Sequence, residues 1–345
     1  MNVHIAEKWD HFLDRFGEDE KDIYYTEGYV KLYETDIDKA MCIVCESENS
    51  IALMPFLRRK IGAYYDFETA YGYGGPIFHA DSEDWIREAL GAMKQYFTEQ
   101  KYLCGFMRFH PILGNAEACK VGIPVFSDRK TIRIDLTEKN DDIWMNQITS
   151  KNRNMIRKAE KQGVEFCAEY DYAAMTDFIA LYRSTMERLQ AEEFYFFSDD
   201  YFAEYKKNMQ NKGFLGRVCL NGKTIGAALF MTCGPYGHYH LAGSDRNYSS
   251  LGINNFLLWN AALEMKKQGI RSFHLGGGTT SDPENSLYRF KRSFSHLEND
   301  FYIGKWIFDE DAYEKTAARW ETEKPDLIPL FGNRLLKYRY SHKDL

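Results

Sequence analysis

The chain has 345 residues, 44% of them hydrophobic and 16% aromatic, with 24 tyrosines and 24 phenylalanines; that is more apolar material than a disordered chain carries, and the length predicts two domains that each bury a core. A formal net charge of −7 excludes a general surface for nucleic acid, so no DNA partner is expected and any anion site must be local. Seven scattered cysteines argue against a disulfide scaffold and for a reducing, cytoplasmic setting.

Met1–Asp10 lacks a basic region followed by an apolar core, so no secretion signal is expected. No apolar run approaches the roughly 20 residues that span a bilayer. Trp9, Phe12, Leu13 and Phe16 share one helical face, and the acidic stretch Glu18–Asp22 leads to a second helix through Tyr29, Leu32 and Tyr33. Ala40–Cys45 and Ser50–Leu57 read as strands joined across Glu46–Asn49. Cys42 and Cys45 have no second cysteine pair at zinc-finger spacing, so no metal is expected. The loop Tyr71–Pro76 is either a tight turn with packed tyrosines or the lining of a cleft, with Tyr73 offering a hydroxyl. A helix over Asp84–Gln100 precedes a strand over Leu103–Phe109, where Arg108 is either paired structurally or reaches into a site. Thr131–Leu136 is a strand, and a helical pattern begins at Asp141.

Ser150–Gln162 is a basic helix with a narrow apolar stripe. It is a solvated connector or the phosphate-attracting wall of a cleft, with Arg157 able to bind an anion bidentately. Next come a strand over Val164–Ala168, a helix through Phe178 to Met186, the aromatic loop Phe194–Phe197 and a helix over Ser198–Asn211. Gly213–Leu220 and Lys223–Thr232 form a hairpin across Asn221-Gly222, the strongest short hairpin signal. His238–Leu241 is a strand, followed by a helix through Phe256 to Met265 that stops at Gly269. Arg271–Leu275 then runs into Gly276-Gly277-Gly278 and a helix holding Lys291. Two such strand-to-helix transitions predict an α/β unit with an anion-binding edge. Both halves repeat helices, hairpin, helix and strand, which predicts two similar domains.

Arg108-Phe109-His110-Pro111, Tyr71–Pro76, Ser150-x-x-Arg153-x-x-Ile156-Arg157-Lys158-Ala159, Leu241-Ala242-Gly243-Ser244 and Phe290-Lys291-Arg292-Ser293-Phe294 together resemble the FemABX-like acyltransferases of the GNAT superfamily. The resemblance implies an α/β (α+β, mixed-sheet) fold of two tandem GNAT-like acyltransferase domains around an interdomain cleft. We assign 1–148 to the first domain, 149–298 to the second and 299–345 to a segment packing back on the first. The implied activity is N-acyl transfer to an amine, with acyl-CoA or aminoacyl-tRNA as co-substrate and no tightly bound cofactor. The implied acceptor is a small molecule, amino sugar, peptide or cell-envelope precursor of the peptidoglycan kind. The acetyl-CoA loop pattern is incomplete: Ser249-x-x-Gly252-x-Asn254 keeps its central glycine alone. Lys291 and His240 are the expected catalytic residues, Lys291 as the cation facing the oxyanion; His274, Asp282 and Tyr288 are further candidates for general base. Gly252, Asn254, Gly276, Gly277 and Gly278 are expected at the donor, and Tyr73, Arg108, Arg157 and Tyr288 at the acceptor. A catalytically silent GNAT-like binding module is the alternative.

Overall fold

The computed structural model describes residues 1–344, and the chain divides into two compact units, one of Met1–Asp128 together with Phe301 onward and one of Arg129–Asp300. The division falls at Asp128, within the strand Val125–Asp135, whereas the sequence reading placed it after 148.

The first unit contains β1 (Asn2–Ala6), α1 (Glu27–Val30), β2 (Asp38–Glu46), β3 (Ile51–Ile61), β4 (Tyr64–Glu68), β5 (Ile77–His79), α2 (Glu83–Glu99), β6 (Tyr102–Arg108) and α3 (Asn115–Cys119). Its sheet runs β1-β2-β3-β4-β6, with β5 beside β3. All pairs are antiparallel except β4 with β6. Ser82 caps α2 by accepting from Trp85 N, and Glu83 and Asp84 complement the helix dipole in its first turn. The helix buries Ala89, Leu90, Met93 and Phe97 against Phe56, Phe67 and Met107. The expected helix over Trp9–Phe16 is instead a 3₁₀ segment, Asp10–Arg15. The Trp9 indole donates to Tyr25 O at 2.7 Å, and Asp10 accepts from Glu27 N, so side-chain anchors hold a tighter turn than an α-helix.

Two polar centres lock this unit. His110 Nδ1 accepts from Ile112 N and Leu113 N at 3.2 Å, so its proton lies on Nε2, which donates to the fully buried Asp22 at 2.8 Å. The second centre joins residues far apart in sequence. Arg339 donates through Nη2 to Asp66 Oδ1 at 2.5 Å and through Nη1 to Glu68 Oε1 at 2.6 Å. Tyr338 Oη donates to Asp66 Oδ2 at 2.8 Å. Burial raises the Asp66 carboxyl above its ordinary range against the pull of Arg339.

β7 (Val125–Asp135) leads into the second unit, followed by α4 (Asn140–Asp142), α5 (Ser150–Lys161), β8 (Glu165–Glu169), α6 (Met175–Leu189), α7 (Asp199–Asn208), β9 (Gly213–Leu220), β10 (Lys223–Cys233), β11 (Tyr236–Ser244), α8 (Ile253–Lys267), β12 (Ser272–Gly277) and α9 (Ser286–Arg292). Its sheet runs β7-β12-β11-β10-β9-β8 and is antiparallel except for β11 with β12. The β9–β10 hairpin turns at Asn221 and Gly222, whose φ angles of 51° and 77° are those a two-residue turn of this hand requires. α8 is buried on most of its circumference, with Ile253, Phe256, Leu257, Leu258, Trp259, Ala261, Ala262 and Met265 inside. It is the central pillar against which α5 and the sheet pack. β13 (Glu298–Ile307) crosses back to the first unit, where its Ile303–Ile307 segment pairs antiparallel with β6 and α10 (Glu310–Glu323) follows. No described helix is long and apolar enough to cross a membrane.

Candidate active site

β11 and β12 run parallel over Tyr236–His238 and Ser272–His274 and then cease to pair. β11 remains bonded to β10 as far as Ser244, so alternate N–H and C=O groups beyond His238 turn towards the gap. Both strands are irregular where they part. On β11 the register passes from Leu241 opposite Leu229 to Tyr239 opposite Phe230, leaving His240 as the extra residue of a bulge. On β12 the register with β7 shifts between His274 and Gly276, and Gly276 takes φ +77°, open to glycine at no steric cost.

Lys291 occupies this opening. It is 8% exposed, its Nζ donates to Gly277 O of β12 at 2.7 Å, and the same atom lies 5.9 Å from the centroid of the Tyr239 ring of β11. Among the described residues no carboxylate pairs with it, and burial lowers its amine to about 7. An uncompensated buried amine in a gap between strands is a recognisable functional feature. Tyr288 precedes Lys291 by one helical turn; its hydroxyl donates to Glu298 Oε1 at 2.7 Å, and burial together with that carboxylate raises it to about 12.

His240 lies elsewhere. Tyr239 packs with Phe230 on the α8 side of the sheet, whereas His240 stacks on Tyr205 of α7 at 5.7 Å and meets Tyr201 Oη at 3.0 Å. Lys291 and His240, both expected at the catalytic centre, thus have different surroundings: Lys291 meets Gly277 O and the Tyr239 ring, and His240 meets Tyr201 and Tyr205 of α7. Burial and the neighbouring His238 also hold His240 down to about 3, a poor match for a base at neutral pH. His274 is buried with its ring 5.7 Å from that of His238, and Asp282 is exposed, accepting from Glu284 N.

The glycines separate into two groups. Gly252 begins α8 directly after β11 and the turn Arg246–Leu251, with φ +76°; a Cβ there would lie 2.9 Å from Met155 O of α5. Asn254 reaches Ser244 Oγ at 3.5 Å, and Lys158 of α5 donates to Ser250 O at 2.7 Å, so a basic helix flanks the start of α8. The first N–H groups of α8 have no partner inside the helix, the usual basis of anion binding at such an end. Gly276–Gly278 present carbonyls to cations: Gly277 O accepts from Lys291, and Gly278 O accepts from Arg129 at 3.0 Å. A Cβ on Gly277 would meet Lys130 O at 2.8 Å and one on Gly278 would meet Asn285 Oδ1 at 2.6 Å, so close packing also accounts for these two glycines.

Arg157 is exposed, its guanidinium 5.3 Å from the Trp144 ring. Tyr73 and Arg108 belong to the first unit. There Tyr73 packs edge-on to Tyr24, His110 and Phe301, and Arg108 donates to Thr69 O at 3.0 Å and pairs with Glu68 at 3.1 Å. The reading of Arg108 as structurally paired describes this geometry.

Sequence reasoning missed Tyr239, Tyr201 and the bulge at His240. It also missed why Gly243 is glycine: a Cβ there would meet backbone atoms of Leu181 and Tyr182 at 2.4 Å, so α6 lies directly on β11. Gly243→Ala is expected to push α6 off the strand and to cost about 1–3 kcal/mol, read as a lower denaturant midpoint.

The strands β11 and β12, the opening between them and the start of α8 lie within a domain of the GNAT type. Residues 149–292 match the family model described as an acetyltransferase (GNAT) domain, and the chain carries that domain within a FemABX-like fold. The crystal structure of FemX is similar over 91% of this chain and 99% of its own, at 14% identity and a TM-score of 0.71. L-PGS from Bacillus licheniformis is similar over 79% of this chain and 85% of its own, at 16% identity and a TM-score of 0.53. A tandem GNAT protein from the clavulanic acid biosynthesis pathway, solved without AcCoA, is similar over 89% of this chain and 99% of its own, at 8% identity and a TM-score of 0.51. At these identities the likeness is one of fold. A comparison with curated protein sequences finds no match.

Proposed function

We propose that the protein is a cytoplasmic N-acyltransferase that moves an acyl or aminoacyl group from acyl-CoA or aminoacyl-tRNA to an amine, such as that of an amino sugar or a cell-envelope precursor. The observation that carries this reading is Lys291, buried without a carboxylate partner where β11 and β12 part. The neutral acceptor amine attacks the donor carbonyl carbon. A C–N bond forms, the C–S or C–O bond to the leaving thiol or hydroxyl breaks, and the amine proton passes to the leaving group or to water. Protonated Lys291 faces the oxyanion of the tetrahedral intermediate, a role worth a few kcal/mol when one such donor is removed. Its surroundings suit both of its states: Gly277 O and the Tyr239 ring stabilise the cation, while burial keeps the free amine accessible near neutral pH. The start of α8, with Gly252, Asn254 and the neighbouring Lys158, takes the donor phosphates.

Acetyl-CoA and a charged tRNA serve as separate donors in the test. At a hundred times its dissociation constant, the true donor is expected to stabilise the protein by about 2.7 kcal/mol, read as a rise in Tm, and to leave acyl on an amine by mass spectrometry. If neither donor raises Tm and no amine is acylated, the catalytically silent binding module takes its place.

A further inference from the structure

α9, the helix that carries Lys291, has seven residues, too few to hold its place through its own hydrogen bonds. Its two ends are fixed by different means. Asn285 caps the first turn, accepting from Leu287 N and Tyr288 N at 3.1 Å. The last turn is gripped from outside: Ser293 O accepts from Thr149 N at 2.9 Å and from Asn152 Nδ2 at 3.1 Å. Both donors belong to the start of α5, where Thr149 is the N-cap residue.

Asn152 also reaches in a second direction. Its Oδ1 accepts from Asn255 Nδ2 at 2.8 Å, and Asn255 lies in the first turn of α8, three residues after Gly252. One side-chain amide therefore stands between the helix of Lys291 and the helix end assigned to the donor phosphates. Asn152 is 2% exposed. Burying an amide is costly unless its groups are paired, and here one group serves each helix. A leucine would fill the same volume and hold neither. Acyl transfer is sensitive to this spacing. The donor carbonyl is placed through phosphates at α8 and the cation that meets its oxyanion through α9, and a shift of about 1 Å between them costs on the order of 10²-fold in rate.

Resting on the acyltransferase reading, we infer that Asn152 is a positioning residue: it sets the place of Lys291 relative to the donor-binding start of α8. It acts through those two helices and not on the reacting atoms.

The test uses the full chain, with acetyl-CoA and a charged tRNA as donors. N152A removes both hydrogen bonds, whereas N152D keeps the shape and the acceptor for Asn255 but sets a carboxylate oxygen against Ser293 O. Each is expected to lose about 10²-fold in kcat, with the donor KM changed by less than about threefold because the start of α8 remains. The fall of kcat through about pH 7 that protonated Lys291 would produce is expected to move to higher pH in N152A, as water reaches a loosened amine. N255A breaks the α8 side alone at a half-buried position and keeps the test decisive if N152A fails to fold; about a tenfold loss in kcat is expected there. An amide that only supports the fold would lower Tm and leave kcat per folded molecule and its pH dependence unchanged, and that result overturns the inference, as does unchanged kcat in N255A. A wild-type chain that acylates no amine from either donor defeats the acyltransferase reading and this inference with it, whereas an active wild type with equally active variants defeats the inference alone.

Discussion

Lys291→Met is expected to reduce turnover by about 10²–10³-fold and, at the same time, to make the protein more stable. Methionine fills a similar volume without a charge to desolvate. The amine titrates at about 7 in the folded chain against 10.5 as its ordinary value. Between those values the unfolded state binds more protons than the folded one, so this group's contribution to stability rises with pH through that window. Below about pH 7 the folded protein carries the whole penalty of a buried ammonium; above about 10.5 it carries none. The Met variant is therefore expected to gain most at low pH and nothing above pH 10.5. At neutral pH a gain on the order of 1–3 kcal/mol is reasonable, because the lost hydrogen bond to Gly277 O offsets part of the relief. Denaturant midpoints across pH check the sign. The rate has its own signature: if the cation is the active form, kcat falls as pH rises through about 7, and a rise instead would recast Lys291 as a base. Unchanged turnover in the Met variant removes the residue from the mechanism.

The second large effect is expected in the first unit. Arg339 is 6% exposed at its side chain and Asp66 is fully buried, so Arg339→Met leaves a carboxylate in the interior with Tyr338 as its remaining donor. Removing one partner of such a pair costs about 3–5 kcal/mol. Asp66 already titrates above the ordinary carboxylate range, and it is expected to rise further without the guanidinium. The defect should therefore shrink as pH falls through that raised value and the carboxyl becomes neutral. The double replacement Asp66→Asn with Arg339→Met is expected to recover part of the loss, because it removes the stranded charge. A double variant no better than the single one would show that the cluster is held by something other than its charges.

What could be read from the sequence follows the range of the interactions concerned. The β9–β10 hairpin was legible because Asn221-Gly222 sets its turn locally, and α5 and α8 because their apolar residues recur at helical spacing. Lys291 was singled out by the resemblance that Phe290-Lys291-x-x-Phe294 carries, whereas its burial has no local signal in the sequence. The bulge at His240 left no trace, since no glycine or proline marks it and its cause is the register between β10 and β11. Two short edge elements, β1 and β5, and the later β13 and α10 also escaped notice. Their stability comes from strands or helices distant in sequence rather than from a local pattern. Arg339 belongs with these, since nothing near it announces a partner 273 positions away.

That separation has a consequence for the chain as it leaves the ribosome. The second unit is continuous in sequence and is translated in full before the first has received the residues that close it. Asp66 must wait for Arg339 across 273 positions, about 14–55 s at ordinary elongation rates. During translation the first unit exists without its central ion pair, exposing unfinished β-sheet to chaperones and proteases. A slow codon run between the two residues would therefore lengthen the vulnerable interval without altering a single contact of the finished protein.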